Sequence, residues 1–169
     1  MSRLYINDKW YYYDDFSEDM IRTYPILGDE EVLIPHSVSQ ISLDHFDESK
    51  YQKVSCYRRV ILAPKSWQKM RVLLTFEGVA HRADIFLNGT HIGTHRCGYT
   101  AFTVDISDLL IYDKDNLLAV RCDSRSSLNL PPFGGDTSPL SFGGIYRDVY
   151  IELKDNVYME NIFLKPSLL

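Results

Sequence analysis

The side chains suited to acid–base or metal chemistry are scattered along this chain. Neighbouring acids occur at Asp14-Asp15, Glu30-Glu31 and Asp47-Glu48, among other places. Adjacent residues of an extended chain point to opposite faces, so no pair predicts two carboxyl groups acting on one substrate. Charged surface turns are the simpler interpretation.

Histidine and nucleophile chemistry is equally weakly supported. His91 and His95 share a predicted strand face, but four residues of strand separate them by about 13 Å, too far for one metal ion. The chain has no Gly-x-Ser-x-Gly turn, and no serine or cysteine stands beside an obvious base. The sequence therefore predicts no catalytic residue and no metal site of its own.

Arg147 is the most unusual charged residue, because residues 144–153 alternate as a strand does. The alternation places Arg147 on the same side as Ile145 and Val149, where a core residue belongs. A guanidinium removed from water needs a partner. We therefore expect Arg147 to be an internal anchor paired with a carboxylate, and the candidates are Asp84, Asp105 and Asp123.

Residues 124–142, hereafter the predicted loop, lie immediately before that strand. They contain two adjacent prolines, a Gly-Gly pair and five serines, with no periodicity. A structureless stretch of this length inside a domain is typically functional or disordered. Asp136 is its one acid, and Gly143-Gly144 close it.

The amino-acid composition limits the kinds of partner that the chain can bind. The formal net charge of −5 carries no basic run, which argues against nucleic acid and anionic membranes and favours a neutral partner such as a sugar or a protein surface. The three cysteines form no CxxC pair, so we expect a reduced, cytoplasmic compartment. Neither a signal peptide nor a membrane span is visible.

The elements that must position these residues are short strands separated by turn signals, a pattern typical of an antiparallel sandwich or barrel. Asn88-Gly89 lies between two β-type runs and predicts a hairpin with a type I′ turn. Residues 17–23 and 107–110 are expected to be single helical turns, each led by a serine cap. The predicted strands are 4–6, 10–13, 31–34, 54–62, 69–76, 82–87, 90–95, 101–105, 116–123, 144–153 and 158–165. The whole chain, 1–169, is predicted to be one domain.

The order of several motifs resembles the N-terminal sugar-binding domain of glycoside hydrolase family 2, the family of β-galactosidases, β-glucuronidases and β-mannosidases. The resemblance covers nearly the whole chain. The motifs are Ile34-Pro35-His36-Ser37, Tyr57-Arg58-Arg59, Phe76-Glu77-Gly78-Val79, residues 83–95 around Asn88-Gly89, residues 98–106, residues 116–121 and Phe142-Gly143-Gly144-Ile145-Tyr146-Arg147-Asp148-Val149.

The resemblance implies an all-β fold, an antiparallel β-sandwich of jelly-roll, galactose-binding-domain-like type. It also implies that the two catalytic glutamates sit on a separate barrel that follows an immunoglobulin-like domain. The parent enzyme would then hydrolyse a β-galactoside or related carbohydrate, with Na or Mg/Ca ions as its cations. This chain alone, which would need no cofactor, is expected to be inactive.

The resemblance further implies that an aspartate of the predicted loop binds sugar hydroxyls in the parent active site. Asp136 is the candidate, but it lies further from Gly144 than is typical of the family, so Ser138 competes for the role. The alternative for Asp136 is an Asp-Thr turn held by its own backbone. The alternative for the whole chain is a self-standing carbohydrate-binding or protein-interaction module.

Overall fold

The computed structural model describes residues 3–25, 29–39, 47–126, 143–160 and 163–166. Within these ranges there is no α-helix, and four short 3₁₀ helices cover Glu18–Ile21, Glu48–Lys50, Lys65–Lys69 and Ser107–Leu109. None of the described helices is long and apolar enough to cross a membrane. The strands of the described residues are β1 Arg3–Tyr5, β2 Trp10–Tyr13, β3 Glu30–Val32, β4 Val54–Leu62, β5 Arg71–Phe76, β6 Val79–Ala80, β7 Arg82–Leu87, β8 Thr90–His95, β9 Phe102–Asp105, β10 Asp115–Asp123, β11 Gly144–Ile145 and β12 Val149–Lys154.

The strands form two antiparallel sheets that face each other. One sheet has the order β3-β2-β4-β10-β7-β8, and the other has the order β1-β12-β5-β9. A two-stranded ribbon of β11 and β6 completes the fold. Several neighbouring strands are far apart in sequence, as β4 and β10 are, so the connections cross between sheets. The predicted antiparallel β-sandwich is confirmed.

The core lies between the sheets and follows from the two-residue period of the strands. On β10, Leu118 and Val120 face the opposite sheet, whereas Arg121 faces outward. Trp10 of one sheet meets Phe76 of the other edge to face, with ring centroids 6.5 Å apart. Because both rings are fully buried, their contact joins the two sheets by apolar burial.

The sandwich has two ends, which β10 defines. Asp123 marks the loop end, where the predicted loop leaves the sheet. Asp115 marks the far end, where the 3₁₀ helices Lys65–Lys69 and Ser107–Leu109 lie. The Asn88-Gly89 hairpin also lies toward the far end, because Asn88 donates its backbone N–H to the carbonyl of Leu117.

The hairpin prediction is confirmed. Asn88 and Gly89 both have positive φ, at 50° and 81°, and Leu87 pairs with Thr90 across the turn. The type I′ turn requires this geometry at both central positions. The Asn88 side chain adds a clamp, because its oxygen accepts the backbone N–H of Leu117 at 2.9 Å.

Two strand predictions are wrong. Residues 144–153 form two strands instead of one, because β11 pairs with β6 whereas β12 pairs with β1 and β5. The chain crosses between these partners at residues 146–148, where Asp148 accepts the backbone N–H of Glu77 at 3.0 Å. The described part of residues 158–165 contains no strand. The helical turns are present, but the Ser17 side chain forms no capping hydrogen bond.

The prediction of a buried Arg147 is also wrong, because this residue lies in the break between β11 and β12. Its side chain is exposed, and its guanidinium lies 5.4 Å from the centre of the Tyr146 ring. The three carboxylates proposed as its partners pair with other arginines: Asp84 with Arg82 and Arg121, Asp105 with Arg71, and Asp123 with Arg121 and Arg125.

Candidate functional site

The described residues closest in sequence to the predicted loop form its base, and this base is the candidate functional site. Asp136 and Ser138, the predicted substrate-binding residues, lie outside the described residues. What the structure describes is therefore how the two ends of the loop are held.

The C-terminal end of the predicted loop is held by residues 36–38. Val38 donates its N–H to the carbonyl of Gly143 at 3.1 Å, and His36 donates to the carbonyl of Ile145 at 2.8 Å. These two bonds form a short ladder outside the main sheets. The ladder fixes the direction in which the chain leaves the loop.

Positions 143 and 144 require glycine because a side chain at either position would clash with its surroundings. A Cβ on Gly143 would lie 2.3 Å from the Ser124 hydroxyl oxygen. Gly144 has φ of +109°, and its Cβ would lie 2.6 Å from both the carbonyl oxygen of His36 and the hydroxyl of Tyr57. A positive φ disfavours any L side chain, so Gly144 is required for two independent reasons.

The N-terminal end of the loop is held by hydrogen bonds to Lys53, Ala80 and Gln52. Ser124 donates its N–H to the carbonyl of Lys53 and its hydroxyl to the carbonyl of Ala80, both at 2.9 Å. Ser126 donates its N–H to the side-chain oxygen of Gln52 at 2.6 Å, and the Gln52 amide donates back to the Ser126 hydroxyl at 2.9 Å. Both ends of the predicted loop are thus fixed to the sandwich.

Two separate sets of polar contacts lie beneath the ladder. His36 Nδ1 lies 2.9 Å from the hydroxyl of Tyr57, which is fully buried. The neighbouring Tyr12 donates its hydroxyl to Asp14 at 2.7 Å, and Asp14 pairs with Lys53 at 2.8 Å. Burial lowers the pKa of His36, so its imidazole is neutral at pH 7. Burial and the bond to Asp14 raise the pKa of Tyr12, so it stays a hydrogen-bond donor.

The described carboxylates at this base are unsuited to general acid catalysis. Hydrogen bonds from Lys53 and Tyr12 lower the pKa of Asp14. Burial alone would raise the pKa of Asp123, but Arg125 and Arg121 outweigh burial and lower it. A general acid needs a pKa raised toward neutrality. Neither Asp14 nor Asp123 is therefore suited to be a general acid.

Tyr146 and the segment around Gly98 form another part of the candidate site. The Tyr146 hydroxyl donates to the carbonyl of Gly98. A Cβ on Gly98 would lie 2.9 Å from Nδ1 of the buried His81. Next to Gly98, Tyr99 is half exposed and gives this wall an aromatic surface.

His91 and His95 have different hydrogen-bond partners. His91 bonds to the Thr94 hydroxyl at 3.0 Å, whereas His95 bonds to the Thr100 hydroxyl at 2.9 Å and stacks on Phe102. Among the described residues, no group of three His, Cys, Asp or Glu side chains is arranged to hold a metal ion.

Sequence reasoning missed His36 and Tyr57 as the support of the loop. His36 lies on the 36–38 segment and Tyr57 on β4, and the sequence indicates each of them only as part of a motif. The available signal was the alternation of β4, which places Tyr57 on the core face with Ile61. The contact of that face with Gly144 depends on the tertiary fold.

Comparison with known proteins agrees with this architecture. The family model described as "Glycosyl hydrolases family 2, sugar binding domain" matches residues 28–155. A β-galactosidase of Thermoanaerobacterium thermosulfurigenes is 35% identical over 158 residues, which are 93% of this chain and 22% of that protein. A β-glucuronidase of Bacteroides fragilis is 39% identical over 99 residues, 59% of this chain and 14% of that protein.

Solved structures show the same fold. A calcium-binding mutant of Bacteroides uniformis beta-glucuronidase 2 superimposes with a TM-score of 0.81 at 28% identity, covering 92% of this chain and 18% of that chain. These two matches include more than nine-tenths of this chain, but the chain spans only about a fifth of the length of either relative. The match of the family model over most of the chain, together with the sandwich itself, shows that the chain belongs to glycosyl hydrolases family 2, as a sugar-binding domain.

Proposed function

We propose that this chain is the N-terminal, non-catalytic domain of a larger family 2 glycoside hydrolase of the β-galactosidase type. The observation that carries the proposal is the anchoring of the predicted loop at both ends, by the 36–38 ladder and by Ser124. A loop fixed at both ends to a rigid sandwich can present a side chain to a neighbouring active site. The similarity to a β-galactosidase along most of the chain supports the assignment.

In this proposal, Asp136 receives hydrogen bonds from sugar hydroxyls in the parent active site. A carboxylate is the suitable residue, because a charge-assisted hydrogen bond is stronger than a neutral one. Ser138 is the competing residue on the same loop. Neither side chain lies among the described residues, so the proposal depends on the anchors described above and on the family.

The partners follow from the same proposal. The chain supports a barrel that carries the catalytic glutamates and contacts an immunoglobulin-like domain between them. Na or Mg/Ca ions are the cations proposed for the parent enzyme, and this chain is proposed to need no cofactor of its own. The substrate is a β-galactoside or a related carbohydrate, and the location is cytoplasmic.

The decisive experiment compares loop variants in the longer enzyme. Asp136→Asn should lower kcat/KM for a nitrophenyl β-galactoside about 10- to 100-fold, because a hydrogen bond to a charged group contributes about 1.5–3 kcal/mol. Ser138→Ala should have a smaller effect. Ser141→Ala, a substitution in the same predicted loop, is the matched control and should keep the wild-type value.

Three outcomes would overturn parts of the proposal. Wild-type kcat/KM in both Asp136→Asn and Ser138→Ala would remove the loop from the substrate pocket. Turnover by the purified 169-residue chain would contradict the assignment of catalysis to another domain. Micromolar sugar affinity of that chain would instead favour a self-standing carbohydrate-binding module.

A further inference from the structure

A polar pocket of about 400 Å³ lies at the far end of the sandwich, away from the described base of the predicted loop. It opens between the Lys65–Lys69 helix, the connection from β9 to β10 and the residues that follow β12. The volume falls within the range of small-molecule sites. The residues that define the polar pocket are Gln68, Met70, Arg71, Asp108, Tyr112 and Asn156.

The floor of the polar pocket is fixed by internal hydrogen bonds. Tyr112 donates its hydroxyl to the carbonyl of Ser107 at 2.7 Å. The Ser107 hydroxyl oxygen accepts the backbone N–H of Val72 at 2.8 Å, and its hydroxyl donates to Asp105. Asp105 also pairs with Arg71. These side chains are held in place before any ligand arrives.

The rim differs from the floor because its polar side chains are free to form hydrogen bonds with a ligand. Within the described ranges, the side-chain amides of Gln68 and Asn156 form no hydrogen bond with another residue, and both residues are exposed. Asp108 is 92% exposed, and its nearest cation is Arg71 at 4.0 Å. An amide both donates and accepts hydrogen bonds, as a hydroxyl group does. The rim therefore suits a ligand with several hydroxyl groups.

The charges of the pocket disfavour an anionic ligand. Arg71 lies between two carboxylates, Asp105 and Asp108, so the three groups together carry a net charge of −1. Burial alone would raise the pKa of Asp105, but hydrogen bonds from Ser107 and the Arg71 charge lower it, so it stays ionised at neutral pH. An anionic ligand would meet this negative charge, whereas a neutral polyol would not.

We propose that the polar pocket is a second, non-catalytic site for a neutral, polyhydroxylated ligand the size of one sugar ring. Gln68 and Asn156 bind hydroxyl groups from the rim. Tyr112 and Met70 offer apolar surface to the carbon face of the ring. The site lies at the opposite end of the sandwich from Asp123 and Ser124, where the predicted loop begins, so it is independent of the function proposed for the loop.

The test is a nuclear magnetic resonance titration of the 169-residue chain with methyl β-D-galactoside. An open pocket with few polar contacts predicts saturable binding with a Kd on the order of 1 mM. The side-chain amide signals of Gln68 and Asn156 should shift with one common affinity. Methyl β-D-galacturonate, which adds one negative charge, should bind at least about fivefold more weakly.

Variants separate this site from the base of the loop. Gln68→Ala and Asn156→Ala should each weaken binding about 5- to 10-fold, the loss of one hydrogen-bonding group. Lys69→Ala is the matched control, because Lys69 is exposed on the same helix without lining the pocket, and it should bind as the wild type does. All three substitutions are at exposed positions, and unchanged urea midpoints would verify that the variants are folded.

Three results would overturn the proposal. Shifts confined to residues 36–38 and 143–146 would assign the sugar to the base of the loop. Wild-type affinity in both Gln68→Ala and Asn156→Ala would remove the rim from the site. Shifts that grow linearly without saturation would indicate non-specific contact.

Discussion

Replacement of Arg58 by alanine should destabilise the fold strongly, because Arg58 holds the 14–25 segment onto the outer face of the larger sheet. Its side chain is 6% exposed. It donates to the carbonyl of Thr23 at 2.6 Å and to the Thr23 hydroxyl at 3.2 Å. It also contacts Asp29 at 3.4 Å and the hydroxyl of Tyr13, whose ring it covers at 4.3 Å.

The expected loss in the free energy of unfolding is about 3–5 kcal/mol. Alanine would leave the carbonyl of Thr23 without the donor from Arg58 and would remove the guanidinium from the carboxylate of Asp29, and removal of one partner from a buried ion pair costs this much. Arg147→Ala is the matched control, because it deletes the same side chain from an exposed position. A surface substitution of this kind changes stability by no more than about 0.5 kcal/mol.

Urea unfolding followed by circular dichroism measures both variants. With an m-value of about 1–3 kcal/mol/M, Arg58→Ala should lower the midpoint by more than about 1 M, whereas Arg147→Ala should leave it in place. Arg58→Lys should fall between alanine and the wild type, because one ammonium group cannot reproduce the fork of the guanidinium. Equal midpoints for Arg58→Ala and Arg147→Ala would refute the reasoning.

Two further predictions concern the base of the loop and the outer face of the sheet. Gly144→Ala should cost about 2–5 kcal/mol, because it combines overpacking against the carbonyl of His36 with a positive φ. Gly93→Ala, whose Cβ would lie 3.3 Å from one methyl group, should cost much less in the same urea assay, and equal losses would contradict this account. Burial alone would raise the pKa of Asp84, but hydrogen bonds from a threonine and two arginines outweigh it and lower the pKa. The stability that this carboxylate supplies is therefore present above about pH 4 and is lost as pH falls through the depressed pKa, so the advantage of the wild type over Asp84→Asn should shrink in acid. An advantage that stays constant from neutral pH into strong acid would exclude this role for Asp84.

The strands and turns that depend on local signals were predictable from the sequence. β2, β4, β7 and β8 have the predicted bounds, because alternation and an Asn-Gly turn are properties of neighbouring residues. Arg147 shows where local reasoning fails. The alternation of residues 144–153 is real, but β11 and β12 pair with different strands, and pairing between distant segments is not encoded in a ten-residue window.

The buried arginine was predictable by a different argument. Arg58 and Arg59 are adjacent on β4, so they must point to opposite faces, and one of them must point toward the core. Arg59 takes the core side and pairs with Asp8 at 3.1 Å, while burial lowers its pKa. Arg58 takes the outer face, where the 14–25 segment covers it. The sequence indicates that one of the two arginines points inward, but only the fold shows that the 14–25 segment buries the other.

The same division between local and distant contacts applies to the candidate site. Gly143 and Gly144 are recognisable by residue type, but the groups that require them, Ser124, His36 and Tyr57, come from three distant segments. The described acids at this base, Asp14 and Asp123, are held by lysine or arginine with lowered pKa values. Both carboxylates are engaged in structural ion pairs, which agrees with the proposal that the substrate-binding carboxylate belongs to the predicted loop. Asp136 is the one acid of that loop, so its substitution is the most direct test of the proposed function.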